Sequence, residues 1–536
     1  MANRFRKTLS GLLVIGLATT IGCHEQSVEP DHPGPSSSPP GTPATPVRVD
    51  LDSRRPAAML SDYHLFADLA RQVPAPGVIP YELNSTSFID GASQETLVYI
   101  PPGQAAGFQA DGPFDFPKGT IFIQHLRFPV AGTGTDTSLR LIETRLLIHQ
   151  NHGWTGVPYL WNEVQSDARR AVIGGKTELT LVGSDGSKKS FVYQTPNMNE
   201  CKQCHSRNEQ MVPIGTTARN LNRTVGTSSG SINQLQQWQQ AGMLTGVPAQ
   251  PEVIAKLPAW HDAVGASLDQ RARAWLDANC AHCHNPRGPA IVSGLDLSFD
   301  QLNPVRFGIY KPPVAAGRGS SGHRFSILPG DPEKSFLLHR VQSTELGVMM
   351  PPIGRSTFDS DGVELLRQWI TQIQPDEKLA EAALNPTAAY QQATSGGDPE
   401  NGKLIFFETQ KCINCHRVGS EGGEVGPNLS DVGQRTKPDY LLESIVDPNA
   451  KIVEGFQTEV VMTDDGRIVT GVVMAEDQYE VVIGEATATH KISKEAIEER
   501  QTSPNSTMPT MANLLTVQQV ADLIAYLQTL QQPPVK

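Results

Sequence analysis

Six of the seven cysteines fall in one repeated pattern, Cys-x-x-Cys-His: Cys201-Lys-Gln-Cys204-His205, Cys280-Ala-His-Cys283-His284 and Cys412-Ile-Asn-Cys415-His416. Two thiols one helical turn apart, with an imidazole directly after the second, form the attachment signature of c-type haem. The thiols add to the haem vinyl groups, and the turn places the adjacent imidazole under the iron as proximal ligand. Paired Cys-x-x-Cys units also build zinc sites, but zinc does not require His directly after the second Cys. A thioredoxin-type redox disulfide needs a βαβ context, and none is apparent. The sequence therefore predicts three covalent haems, with His205, His284 and His416 on the iron, and one-electron redox chemistry.

The distal side of each iron must come from elsewhere in the chain. A thioether sulfur stabilises ferrous iron and raises the potential. Met508, followed by Pro509 and preceding the last helix, is the expected distal ligand of the third haem, with Met511 as rival. Met350, followed by Pro351-Pro352, is the expected ligand of the second, with Met349 as rival. No Met-Pro element lies between the first motif and Cys280. For the first haem the candidates are Met211, Met243, the histidines His125, His149, His152 and His261, or no residue at all. The plainer reading of each is a packed methionine or a satisfied histidine.

Three kinds of element must position these residues. From about Val49 to Pro196 the signals are strands: Glu95–Ile100, Thr120–Ile123 and Leu139–His149, then Thr177–Val182 and Ser190–Tyr193 flanking a Gly183-Ser184-Asp185-Gly186 turn. The later regions read as helices. Capping boxes at Ser231-x-x-Gln234, Ser267-x-x-Gln270, Asp361-x-x-Glu364 and Thr516-x-x-Gln519 open four of them, the first ending at Ala241 before Gly242. Gly402 and Phe406 share a helix face ahead of Cys412. The last helix has an apolar stripe of Val520, Leu523, Ile524, Leu527 and Leu530. A strand-rich insert around Asp464-Asp465-Gly466 separates the third motif from that helix.

The expected organisation is multidomain. It comprises a signal peptide (1–23), a Pro-rich tether (24–48), a β-rich domain (49–195) and a first haem region (196–266). A second haem domain (267–375), a linker without strong periodicity (376–399) and a third haem domain (400–536) follow, the haem domains being mainly α. The signal has Arg4, Arg6 and Lys7 ahead of an apolar run from Leu9 to Gly22. Cys23 follows it where a bacterial lipoprotein would be cleaved and lipidated; Thr20 stands where a lipobox usually has Leu, and an ordinary signal with a leftover Cys is the alternative. Seven prolines between Pro30 and Pro46 favour an extended spacer. These features predict an envelope protein on the periplasmic side of a membrane, held there by a lipid. A net charge of −12, from 44 basic and 56 acidic side chains, argues against a nucleic-acid partner.

Two family resemblances rest on specific residues. The last part of the chain resembles the haem-binding domain typical of planctomycetes and verrucomicrobia. It shares Cys412-Ile-Asn-Cys415-His416, Gly426-Pro427-Asn428-Leu429, Ser444-Ile445-Val446-Asp447-Pro448, the Asp465-Gly466 hairpin and Ser506-Thr507-Met508-Pro509. Residues from about Val49 to Gln374 resemble a family of uncharacterised bacterial di-haem c-type cytochromes. The shared elements are Glu143-Thr144-Arg145, the first motif, Pro213-Ile214-Gly215, Leu221-Asn222, Asp277-Ala278-Asn279-Cys280 and Met349-Met350-Pro351. Neither resemblance implies a substrate. The expected function is electron relay from an exported dehydrogenase to a cytochrome or oxidase acceptor. The competing class is a peroxidase-like enzyme with an open distal site at the first haem. A β-rich domain that serves as scaffold, or that binds a carbohydrate or partner protein, is compatible with either.

Overall fold

The computed structural model describes residues 45–131, 137–182, 187–227, 230–314, 317–464, 468–486 and 488–532. Cys23, the signal, most of the tether and the turns at 183–186 and 465–467 lie outside them. The described residues form one compact unit.

Strands β1 (Val78–Tyr81), β2 (Ser93–Tyr99), β3 (Ile121–Ala131), β4 (Thr137–Gln150), β5 (Gly153–Trp161), β6 (Ala168–Arg170), β7 (Gly175–Val182) and β8 (Lys188–Thr195) form one antiparallel sheet. Its path runs β8-β7-β3-β4-β5-β6, with β2 against β3 and β1 against β2. Side chains alternate across each strand, and the central strands are covered on both faces. On one face Leu97, Ile121, Ile123, Leu146 and Ile148 pack with Tyr159. On the other Val98, Phe122 and Leu147 pack with Tyr81 and Trp238. Gln124 and Arg145 are register partners on this second face, while His125 and Thr144 pair on the first.

Helix α1 (Met198–His205) follows β8 and carries the first motif. Asn197 and Glu200 cap it reciprocally, a box readable in the sequence as Asn-x-x-Glu. Helix α2 (Gln234–Gln240) corrects the Ser231 start. Ser231 belongs to a hairpin strand, Gly230–Asn233, paired with Thr224–Thr227. That pairing holds the backbone extended until Asn233, whose side chain accepts from the Leu235 N–H and caps the helix. Gly242 closes the segment at φ +71°, as expected.

The second and third motif regions share one construction. Helix α3 (Leu268–Leu276), opened by the predicted Ser267–Gln270 box, runs through a π-turn (Asp277–Ala281) into Cys280. Its partner α4 (Ser360–Gln372) begins earlier than the Asp361 box predicts, because Asp359 caps it through the Gly362 N–H. The two helices interlock: Trp275 donates to Asp359 at 2.8 Å and Trp369 to Asp269 at 2.9 Å. In the third region α5 (Glu377–Leu384), a turn Pro386–Ala389 and a 3-10 turn Gln391–Thr394 occupy the stretch expected to be a linker without strong periodicity. Only Tyr390 and Ala393 of this stretch enter the third core, so no helical period shows in the sequence. Helix α6 (Pro399–Leu404) again continues through a π-turn, Ile405–Thr409, ahead of Cys412. Helix α7 (Pro438–Val446) and the closing helix α8 (Val517–Thr529) complete the core, the latter capped by Thr516 and Gln519 as predicted. Gly402 lets α8 approach: a Cβ there would lie 2.0 Å from the Asp522 carbonyl.

The insert is a five-stranded antiparallel sheet of β9 (Thr458–Thr463), β10 (Ile468–Glu476), β11 (Glu480–Gly484), β12 (Thr489–Ser493) and β13 (Ile497–Ser503), in the order β12-β11-β10-β9-β13. Val461, Val469, Val481, Ile483 and Ile492 give it its own small core.

Candidate haem centres

Each motif histidine is half-buried and makes one hydrogen bond through Nδ1. His205 donates to the Val212 carbonyl at 2.7 Å and His416 to the Pro427 carbonyl at 2.9 Å. His284 lies 2.9 Å from Ser293 Oγ, and that hydroxyl already donates to the Ala290 carbonyl at 2.7 Å, so it accepts from the ring. The shared consequence is a tautomer with the proton on Nδ1 and the basic lone pair on Nε2. That is the arrangement in which an outer hydrogen bond orients an imidazole as a metal ligand. Burial lowers all three histidines, His284 to about 4, which keeps the rings neutral.

The thiols are unpaired and half-buried. Burial pushes Cys201 up to about 11 and Cys280 and Cys412 up to about 12, so they stay protonated at neutral pH. Such thiols are poor nucleophiles for disulfide exchange. Two glycines make room at the motifs. A Cβ on Gly156 would stand 2.8 Å from the Cys201 Cβ, and one on Gly426 would stand 2.8 Å from His416 Cε1.

A cavity of about 600 Å³ opens beside the first motif, lined by Cys201, Cys204 and His205. The sheet contributes Gln94, Thr96, Gln124 and Arg145 to its wall, and the second motif contributes Ala281 and His282. Arg145 is held by Glu143 at 2.6 Å and by the Tyr193 hydroxyl at 3.1 Å. Glu143 is fully buried and also accepts from Tyr193 at 2.6 Å. This wall lies on the sheet face opposite His125.

The candidates for the first distal position are scattered. His125 sits between Phe66 and Trp161 on the other side of the sheet, bonded to Thr144 at 2.7 Å. His149 stacks on Trp154 and donates to the Phe116 carbonyl, His152 lies in the β4–β5 turn near Thr155, and His261 is exposed beside Trp260. Met243 packs in the second-face core. Met211 stands beside Cys201, one residue before the carbonyl that holds His205. None of these lines the cavity.

At the other two centres the rivals separate. Met511 is buried in the third core, whereas Met508 is half-buried and outside it. Met349 is buried and Met350 half-buried. Arg355, only 6% exposed, donates to the Met350 carbonyl at 2.8 Å and to the Ser343 carbonyl at 2.8 Å, fixing the Met350 loop. Asp90 reaches over from the sheet domain and accepts from the Ser356 and Thr357 N–H groups at 2.7 Å each. Sequence reasoning missed both residues because their partners are carbonyls and amides, which leave no mark in side-chain spacing. Lys311 was also missed. Burial lowers it to about 8, and it lies against Gly294, next to the Ser293 that holds His284.

Residues 399–467 match the family model for cytochrome c. The match begins at the first residue of α6, takes in the third motif, and ends inside the inserted sheet. The chain therefore carries a cytochrome c domain, which implies covalently bound haem c and supports haem-based electron transfer. It also suggests a location outside the cytoplasm. Among the described residues no helix is long and apolar enough to cross a membrane. No curated protein matches the chain.

Proposed function

We propose that this protein is an exported tri-haem c-type cytochrome that relays electrons from a dehydrogenase to a downstream cytochrome or oxidase. The observation that carries this reading is the common state of His205, His284 and His416, each neutral with Nδ1 committed. One of the three lies in the matched cytochrome c domain, and the other two repeat its chemistry. Each cysteine would add its S–H across a vinyl double bond, sulfur to one carbon and hydrogen to the other, with no oxidant required. Bound haem supplies a one-electron couple. The protein holds it through two thioethers and one imidazole, shields it, and sets its potential by the distal donor. Met350 and Met508 are the proposed distal donors of the second and third sites, and Met211 or Met243 would need to move to serve the first. The finer resemblances, to the planctomycete and verrucomicrobial domain and to the di-haem family, fit this reading. The proposal includes lipidation at Cys23 as the anchor.

Intact mass of protein made with haem c maturation machinery should show three added haems. Cys412→Ala/Cys415→Ala should remove one and leave two. No covalent haem, or loss of all three in the double variant, rejects the proposal.

One observation favours a second reading, a haem enzyme open at the first site. The cavity there is polar on its sheet wall and receives none of the candidate distal side chains. Carbon monoxide added to the reduced protein separates the two. Binding at one haem supports ligand chemistry at the first site; no binding supports relay alone.

A further inference from the structure

The first and second motifs lie 75 or more residues apart in sequence yet meet at their second cysteines. Ligand atoms of Cys204, His282 and Cys283 lie within 4.8 Å of one another. The Cys204 and Cys283 sulfurs thus lie within 4.8 Å of each other, and the Cys283 thiol donates to the Gln203 carbonyl at 3.9 Å. Just beyond the motifs, the Asn208 N–H donates to the Arg287 carbonyl at 2.8 Å.

Buried bonds hold this meeting point from both sides. Asn279, 5% exposed, accepts from the Phe88 N–H at 2.7 Å, and Arg219 pairs with Asp277 at 2.7 Å. Asp90 adds its bonds to Ser356 and Thr357. Two surfaces that touched by chance would lack these buried polar ties.

Two thiols and an imidazole are also a donor set for a soft divalent metal. Both sulfurs, however, belong to Cys-x-x-Cys-His motifs whose histidines carry the Nδ1 bond of a haem ligand. Once each is a thioether it has lost the negative charge that zinc needs, and His282 alone remains.

We infer that Cys204 and Cys283 hold the first two haems edge to edge as one coupled pair. The inference deepens the attachment reading above and rests on it. Each thioether sulfur sits two bonds from its ring. Sulfurs this close would therefore bring two ring edges together, with His282 beside both sulfurs in the lining of the cavity. No residue of the third motif lines that cavity. Two irons so placed do not titrate independently: oxidising one puts a positive charge beside the other and drives their potentials apart. An electron crossing between them changes no bond and moves no obligatory proton.

The test is circular dichroism in the Soret region on the full chain, with haem content fixed by intact mass. The wild type should give a bisignate couplet. Cys201→Ala/Cys204→Ala should collapse it to a single-signed band, and Cys412→Ala/Cys415→Ala should retain it. A couplet that survives loss of the first haem overturns the pair. So does a three-haem mass with no couplet. A mass below three haems instead defeats the attachment reading, and the pair with it. If the first variant does not fold, electron paramagnetic resonance of the fully ferric wild type decides. Coupled irons should give less resolved intensity than three independent centres, and three full independent signals reject the pair.

Discussion

A histidine gains its role from what holds its other nitrogen. His205, His284 and His416 each spend Nδ1 on a protein acceptor, so Nε2 is the nitrogen left for the metal in the proposed haem sites. His125 shows the contrary case. Its Nε2 is buried without a partner, and burial, aided by the charge of Arg127, pushes it down to about 3. An unfolded chain takes up this proton near pH 6.5. The folded protein does not, so the unfolded state binds more protons between those values. Stability is therefore full above about pH 6.5 and falls as the pH drops toward 3. His125→Gln, which can keep the Thr144 bond, should flatten the decline measured by guanidinium unfolding at pH 7 and pH 5, by up to about 1.4 kcal/mol per pH unit. An unchanged slope would mean that the ring takes up its proton in the folded state as readily as in the unfolded chain.

Helix starts show how far local sequence carries. The Ser267 and Thr516 boxes are followed by uninterrupted apolar periodicity, and both form as read. Ser231 has the same pattern, but hairpin pairing takes precedence and the helix waits for Asn233. Asn233→Ala should accordingly cost about 1 kcal/mol in unfolding free energy. The exposed Ser231→Ala should stay within about 0.5 kcal/mol. The reverse ranking would restore the sequence-based start. Five of the eight strands of the sheet were legible because β-branched runs end at turn residues; β1, β5 and β6, short or interrupted by Gly and Pro, were not. The helical stretch after Asp376 was not, because it is anchored by Tyr390 donating to the Leu515 carbonyl at 2.7 Å, a contact across 125 positions. The candidate site divides in the same way. Its thiols and imidazoles are written in their spacing, while Asp90 acquires its place only when segments more than 260 residues apart meet.

Across the whole molecule, two regions repeat the plan of helix, π-turn, motif and closing helix, and the first motif departs from it. Helix α1 sits directly on β5 through Gly156, with no closing helix of its own among the described residues, and the sheet supplies the wall. The β-rich domain is thus part of the first site, which is more than the scaffold role its sequence suggests. Placement of the chain in the cell is a separate matter, resting on Cys23. If lipidation there is the anchor, Cys23→Ser should move the protein from the membrane fraction to the soluble envelope fraction. Native protein already found soluble, with residues upstream of Cys23 still attached, would indicate an ordinary signal.

The inserted sheet leaves and rejoins the third domain on partnered residues, Thr458 opposite Ser503. Adjacent strands lie about 5 Å apart, so the excursion returns almost to its point of departure. The distance between His416 and Met508 is therefore indifferent to how long the excursion is. Lengthening it or reshaping its outer strands would leave that separation unchanged, whereas an exchanged insert must keep the close approach of Gly484 to Val425, beside the loop whose Pro427 carbonyl holds His416.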